Sequence, residues 1–123
     1  MKSQYYWYMK KVCRLLVVFV LLTSCISTSK PAFVSYSPGI YEGVGEGFQG
    51  PIYLRVTVNS QAITMIEVVD HQETPGLGAV AIEELVDAVL ETNSTDVDSV
   101  SGASASSRGF VLALEDALSK AQR

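Results

Sequence analysis

The chain has 123 residues, 48% of them hydrophobic, with 13 acidic and 9 basic side chains and a formal net charge of -4. That length suits one domain, and the negative balance argues against a nucleic-acid partner, because phosphate binding rests on Lys and Arg displacing counterions. Two cysteines and one histidine are too few for a structural zinc site of four ligands.

The composition changes sharply at residue 24. Before it stand Lys2, Lys10, Lys11 and Arg14 with no acid, then an unbroken apolar run from Leu15 to Leu22, then Thr23, Ser24 and Cys25. A basic segment, a short apolar run and small residues make the pattern of a secretory signal peptide. The run is too short for a membrane-spanning helix, which needs about 20 apolar residues. Leu22-Thr23-Ser24-Cys25 resembles the bacterial lipobox, and that resemblance implies a diacylglycerol thioether on Cys25 and a lipid anchor on the extracytoplasmic side of a membrane. Ile26-Ser27-Thr28-Ser29-Lys30-Pro31 has the polar, proline-containing composition of a tether. The expected organisation is a signal peptide over 1–24, the lipidated cysteine and tether over 25–38, and a folded domain over 39–123. The alternatives are a plain N-terminal membrane anchor, or a signal peptide cut elsewhere with Cys25 left as an ordinary thiol. An exported chain starting at Cys25 keeps all 13 acids and loses four of the 9 bases, so an anionic bilayer repels it and the acyl chains must hold it.

From Gly39 the chain is dense in glycine: Gly39, Gly43, Gly45, Gly47 and Gly50 stand among Ile40, Tyr41, Val44 and Phe48. This predicts a first strand and a bend, with glycines that let an edge strand twist or another backbone come close. Gly45 to Gly50 formally spells G-x-G-x-x-G, but a dinucleotide fingerprint must open a helix, and Pro51 with an alternating strand follows here. Ile52, Leu54, Val56 and Val58 alternate with Tyr53, Arg55 and Thr57, the period of a half-buried strand. Asn59-Ser60-Gln61 supplies a turn, and Ala62 to Val69 is a second β-branched run, so the two should pair as an antiparallel hairpin. Pro75, Gly76 and Gly78 then mark a loop.

The period becomes helical from Ala79, with Ile82, Leu85, Val86, Val89 and Leu90 on one stripe and Glu83, Glu84, Asp87 and Glu91 opposite. Asn93 to Asp96 ends this helix, and Val97 to Val100 is predicted as a short strand. After the small residues Ser101 to Ser107, the positions Phe110, Ala113, Leu114, Ala117, Leu118 and Ala121 repeat at helical spacing and must pack on the sheet. The fold class is α+β: a small antiparallel sheet, made of a hairpin and edge strands, packed with two amphipathic helices.

Asp98-Ser99-Val100-Ser101-Gly102-Ala103-Ser104-Ala105-Ser106-Ser107-Arg108 gathers hydroxyls, a glycine and an arginine where the last helix begins. The first amides of a helix lack intrahelical partners and its dipole is positive there, so a phosphate can be held, with Arg108 adding a bidentate contact. Capping of the helix by one serine is the equal alternative.

Ser101-Gly102-Ala103-Ser104-Ala105-Ser106 resembles the S/T-G-A-S/T-x-S/T flavinylation motif of the FMN-binding domain family, which occurs in subunits of the sodium-pumping NADH:quinone reductase and the Rnf complex and in extracytoplasmic electron-transfer lipoproteins. The likeness runs from Gly39 to Ala121, through the Gly-Ile-Tyr-Glu-Gly opening, the hairpin, His71-Gln72-Glu73-Thr74-Pro75-Gly76, Asp98 and the closing Ala-rich helix. It implies FMN joined by a phosphoester to the last hydroxyl of the motif, Ser106, with Ser104 the second candidate, since the family commonly has threonine at both places. It also implies that the loop of Glu73, Thr74 and Gly76 faces the flavin, with Gly76 and Gly78 letting the backbone lie close to a flat ring, and that Asp98 orients a hydroxyl or is read by the transferase that attaches the flavin.

A serine hydroxyl needs a base or a metal to attack, and domains of this kind are modified by a separate magnesium-dependent FAD:protein FMN transferase, which is thus an implied partner. The implied activity is that of a redox carrier exchanging electrons with a partner in or near the membrane, rather than a stand-alone enzyme. Two other readings compete: a lipid-anchored binding or structural module with the same fold and no cofactor, and a serine hydrolase using Ser104 or Ser106 with His71. The second lacks the G-x-S-x-G elbow.

Overall fold

The alternation of the central strand dictates the architecture. In the computed structural model, which describes residues 35–122, Pro51–Val58 forms strand β2 with Ile52, Leu54, Val56 and Val58 buried. Strand β1 (Gly39–Glu46) and strand β3 (Ile63–Asp70) flank it in an antiparallel sheet of order β1-β2-β3. The signal peptide, Cys25 and most of the tether lie outside the described residues. β1 and β2 pair without a slip, from Gly39 opposite Val58 to Glu46 opposite Pro51. β2 and β3 shift register between Thr57 and Val58; at this irregularity Thr64 and Met65 are both exposed, while Ile63 and Ile66 stay buried. The hairpin turn falls at the expected residues: Asn59 N–H donates to the Ala62 carbonyl at 2.9 Å, and Asn59 Oδ1 accepts from the Gln61 and Ala62 amides.

Two helices cover one face of the sheet. Helix α1 (Gly78–Thr92) buries Ala81, Ile82, Leu85 and Val89, and helix α2 (Ser104–Ala121) buries Phe110, Ala113, Leu114, Ala117, Leu118 and Ala121. The stripe read for α2 is the buried one throughout, whereas Leu90 of α1 is exposed. Asn93 ends α1 in the left-handed conformation at φ 52°, and its Oδ1 accepts from the Ile63 amide, fixing the helix end to the start of β3. The opposite sheet face is solvated, with Arg55 bridging Glu42 and Glu67 across three strands at 3.2 and 3.0 Å. Among the described residues no helix is long and apolar enough to cross a membrane.

The strand expected at Val97 to Val100 does not form. Val97 and Val100 are half-buried against the core, so their apolar character is satisfied by packing. The Val100 amide donates to Ser107 Oγ at 3.0 Å and the Asp96 amide to Ser94 Oγ at 3.0 Å, which turns the backbone toward local side-chain oxygens and away from a sheet ladder.

β1 lies against α2 at backbone contact distance. A Cβ on Gly45 would reach 2.5 Å from the Ala113 nitrogen, and one on Gly109 would reach 2.6 Å from the Glu46 carbonyl oxygen. The glycine-rich segment therefore serves the close approach of strand and helix. That approach sets where the turn after β1 and the first turn of α2 meet.

Candidate functional site

Two turns, each requiring a glycine, frame a cavity at the start of α2. In Thr74-Pro75-Gly76-Leu77 the Leu77 amide donates to the Thr74 carbonyl at 3.3 Å and Gly76 has φ 81°. Pro at the second position and positive φ at the third define a type II turn. In Val100-Ser101-Gly102-Ala103 the Ala103 amide donates to the Val100 carbonyl at 3.0 Å and Gly102 has φ 82°, the same arrangement. Ser107 ties this second turn to the helix: its hydroxyl accepts from the Val100 amide and donates to the Ala103 carbonyl at 2.9 Å.

α2 is not capped by a serine. Its N-cap is Ala103, which offers no side-chain oxygen to the first-turn amides. Those amides therefore have no side-chain cap at the N-cap position, the condition under which a helix N-terminus attracts an anion.

The cavity, about 340 Å³, is lined by Phe48, Thr74, Leu77, Gly78, Gly102, Ala103, Ser104, Ala105 and Ser106. That volume lies in the range of small-molecule sites, roughly 300–1,000 Å³. Phe48 and Leu77, 69% and 50% exposed, offer apolar surface of the kind a flat ring system covers. Ser106 is 3% exposed and its hydroxyl donates to Glu73 Oε2. Glu73 is itself buried, and its Oε1 accepts from the Phe48 amide at 2.7 Å and the Gln49 amide at 3.1 Å. One carboxylate thus joins the turn after β1, the loop after β3 and the first turn of α2. Gln49 Nε2 donates to Thr74 Oγ1 at 2.8 Å, adding a second tie between turn and loop. The donor set fits FMN: unpaired helix amides and a hydroxyl for the phosphate, apolar side chains for the ring.

Burial pushes the Glu73 carboxyl up, but the Ser106 hydroxyl and the Gln49 and Phe48 amides outweigh it, so that it lies below its ordinary value of 4.5. The His71 ring accepts from the Glu73 amide, through Nδ1 at 3.2 Å. Because the folded chain binds the Glu73 proton less tightly than the unfolded chain, the carboxylate contributes stability above its ordinary value, and this is lost as pH falls through the lower folded value. Asp116, held low by the Lys120 ammonium first and the Val44 amide second, acts in the same direction. Urea unfolding at pH 7 and pH 3 should therefore show a larger loss for the wild type than for Glu73→Gln, the difference isolating Glu73. Equal losses would contradict the charged, hydrogen-bonded carboxylate.

Of the residues singled out in the sequence, Thr74, Gly102, Ala103, Ser104, Ala105 and Ser106 border the cavity, and Glu73 stands behind its wall. Gly76 shapes the adjoining turn without lining the cavity, Ser101 is exposed in the second turn, and Asp98 is exposed in the segment before it. Arg108 is exposed and does not border the cavity either. Gly78, which with Gly76 was expected to let the backbone lie close to a flat ring, borders the cavity as well, whereas sequence reasoning did not single out Phe48 or Leu77. The signal for Phe48 was an aromatic residue inside a run of glycines at a turn; for Leu77, an apolar residue between two glycines in a loop.

Comparison with known proteins follows the same lines. The FMN-binding domain profile matches residues 47–119, from the turn after β1 to the end of α2. The chain is 34% identical over 84 residues to an uncharacterized protein of Treponema pallidum (strain Nichols), which covers 68% of this chain and 23% of that one. It is 37% identical over 84 residues to a subunit of the ion-translocating oxidoreductase complex of Methanosarcina acetivorans, covering 58% of this chain and 45% of that protein. It is 30% identical over 78 residues to the urocanate reductase of Eggerthella lenta, covering 63% of this chain and 13% of the reductase. The chain thus spans less than half the length of each of these relatives. With the profile covering more than half of the chain and the cavity falling within the matched span, this protein belongs to the FMN-binding domain family.

Proposed function

We propose that the protein is a lipid-anchored electron carrier outside the cytoplasm, with FMN attached by a phosphoester to Ser106. The observation that carries this reading is the Ser106 hydroxyl itself: it borders the cavity, lies in the first turn of a helix without a side-chain cap, and is engaged by a buried carboxylate. Ser104 borders the same cavity but has no comparable partner. Ser104, Ala105 and Ser106 offer their amides to the phosphate, the Thr74 hydroxyl stands across the cavity, and Phe48 and Leu77 flank the ring. When bound, FMN supplies one- and two-electron redox chemistry, while the protein sets its position and exposure.

Attachment to a membrane is supported by the lipobox-like segment ending at Cys25 and by the likeness to a component of an ion-translocating oxidoreductase complex. The domain needs a flavin transferase as partner, because a phosphoester to serine requires an activated flavin phosphate such as FAD. Its redox partner is a membrane-associated donor or acceptor of electrons. Covalent attachment suits an exported carrier, from which a dissociated flavin would be lost.

The test is the intact mass of the full chain produced with and without a magnesium-dependent FAD:protein FMN transferase, read beside flavin fluorescence on a denaturing gel. An added mass of one FMN less water and a fluorescent band, both dependent on the transferase, are expected. A colourless chain of unmodified mass under both conditions would instead favour a lipid-anchored module without cofactor.

A further inference from the structure

The Ser106–Glu73 pair has the geometry of an activated nucleophile. A serine hydroxyl attacks phosphorus poorly unless a base takes its proton, and in phosphoryl transfer to protein hydroxyls that base is commonly a carboxylate within hydrogen-bond reach. Here the carboxylate sits within the acceptor protein, already bonded to the hydroxyl that would react. Its other oxygen is held by the Phe48 and Gln49 amides at 2.7 and 3.1 Å, which leaves Oε2 directed at Ser106. Gly78 keeps the pair uncrowded, since a Cβ there would lie 2.9 Å from both Glu73 Oε2 and Ser106 Oγ.

We propose that Glu73 is the general base for attachment of the flavin phosphate to Ser106, so that the acceptor domain carries part of the catalytic apparatus for its own modification. The inference rests on the reading of Ser106 as the attachment residue. As the Oγ–P bond forms, the phosphoanhydride bond of the flavin dinucleotide breaks, AMP departs as the leaving group, and the Oγ proton passes to Glu73 Oε2. No electron is gained or lost. The proton then remains on Glu73, because a buried carboxylate beside a phosphodiester faces a like charge that raises its proton affinity. The groups facing Glu73 are His71 on its own loop, the Phe48 and Gln49 amides from the turn after β1, Gly78 from α1 and Ser106 from α2. Of these, the His71 ring contacts the Glu73 amide and does not touch the reacting oxygen.

The full chain in detergent, with FAD, magnesium and the transferase, gives the rate of FMN incorporation by intact mass. Glu73→Gln keeps the shape and can still accept a hydrogen bond but cannot take the proton, so its rate at pH 7 should fall about 10²- to 10⁴-fold. The variant must then lose the proton to hydroxide, so the ratio of wild-type to variant rate should shrink about tenfold per pH unit between pH 7 and 9, which also cancels the pH dependence of the transferase. A variant as fast as the wild type, or a slow one whose ratio does not change with pH, overturns the base role. Isotope-edited infrared spectra of the wild type supply a readout that does not need the variant to fold: the Glu73 carboxyl should be ionised before attachment and protonated after it. A carboxylate in both states overturns the proposal. A wild-type chain that takes up no FMN removes the attachment reading, and this inference with it.

Discussion

Ser106→Ala is expected to abolish the proposed covalent FMN adduct, and Ser104→Ala to leave it in place. The two serines stand one residue apart on either side of Ala105, and both border the cavity, but their surroundings differ. Ser106 is buried with its hydroxyl on a carboxylate, while Ser104 is exposed at the first position of the helix. Removing the Ser106 hydroxyl takes away both the proposed nucleophile and a hydrogen bond to a charged, buried acceptor. The first loss is expected to reduce incorporation below detection. The second costs stability of about 1–3 kcal/mol, the cost of leaving a buried polar group unsatisfied. Intact mass together with urea unfolding separates the two: Ser106→Ala should be folded, less stable and unmodified. An adduct of full yield in Ser106→Ala that disappears in Ser104→Ala would transfer the attachment to Ser104.

Gly109→Ala is expected to destabilise the protein by about 3 kcal/mol, the upper part of the usual cost of overpacking. In an exposed helix the same change would stabilise by up to about 1 kcal/mol, since alanine is the better helix former. The sign reverses here because the added carbon would lie 2.5 Å from Gly47 Cα, 2.6 Å from the Glu46 carbonyl oxygen and 2.7 Å from the Gly47 nitrogen. All three are backbone atoms and cannot swing aside as a flexible side chain would, so β1 and α2 must part. Because the turn beginning at Gly47 carries the Phe48 and Gln49 amides to Glu73, the same displacement should slow flavin incorporation. Chemical denaturation reads the first effect. A stabilised Gly109→Ala would show that the strand and helix do not touch at this point.

Local chemistry made much of the fold legible in the sequence. Strict alternation over Ile52 to Val58 placed β2 and its buried face, and the stripe from Phe110 to Ala121 placed α2. Asn59 and Asn93 marked the hairpin turn and the end of α1, because asparagine both bonds its own backbone and tolerates the left-handed conformation. Pro75-Gly76 and Gly102 likewise announced breaks in the chain, since positive φ at those places admits little but glycine. The segment Val97 to Val100 misled for a related reason: its two β-branched valines favour an extended chain, yet a strand also needs a ladder partner, and Ser94 and Ser107 captured the amides of Asp96 and Val100. Serine capping of α2 failed similarly, as the hydroxyls of Ser106 and Ser107 found Glu73 and the Val100–Ala103 turn instead.

The sequence by itself determined the periodic elements, the breaks between them and a hydroxyl-rich motif at the mouth of the last helix, because each follows from residues within a few positions of one another. Only the tertiary structure decided that Glu73 reaches across to Ser106, that Phe48 and Leu77 wall the same cavity, and that Ser106 rather than Ser104 is the buried partner. Those relations join residues distant along the chain, and they are fixed by how closely β1 can approach α2, a distance set by missing side chains at Gly43, Gly45 and Gly109.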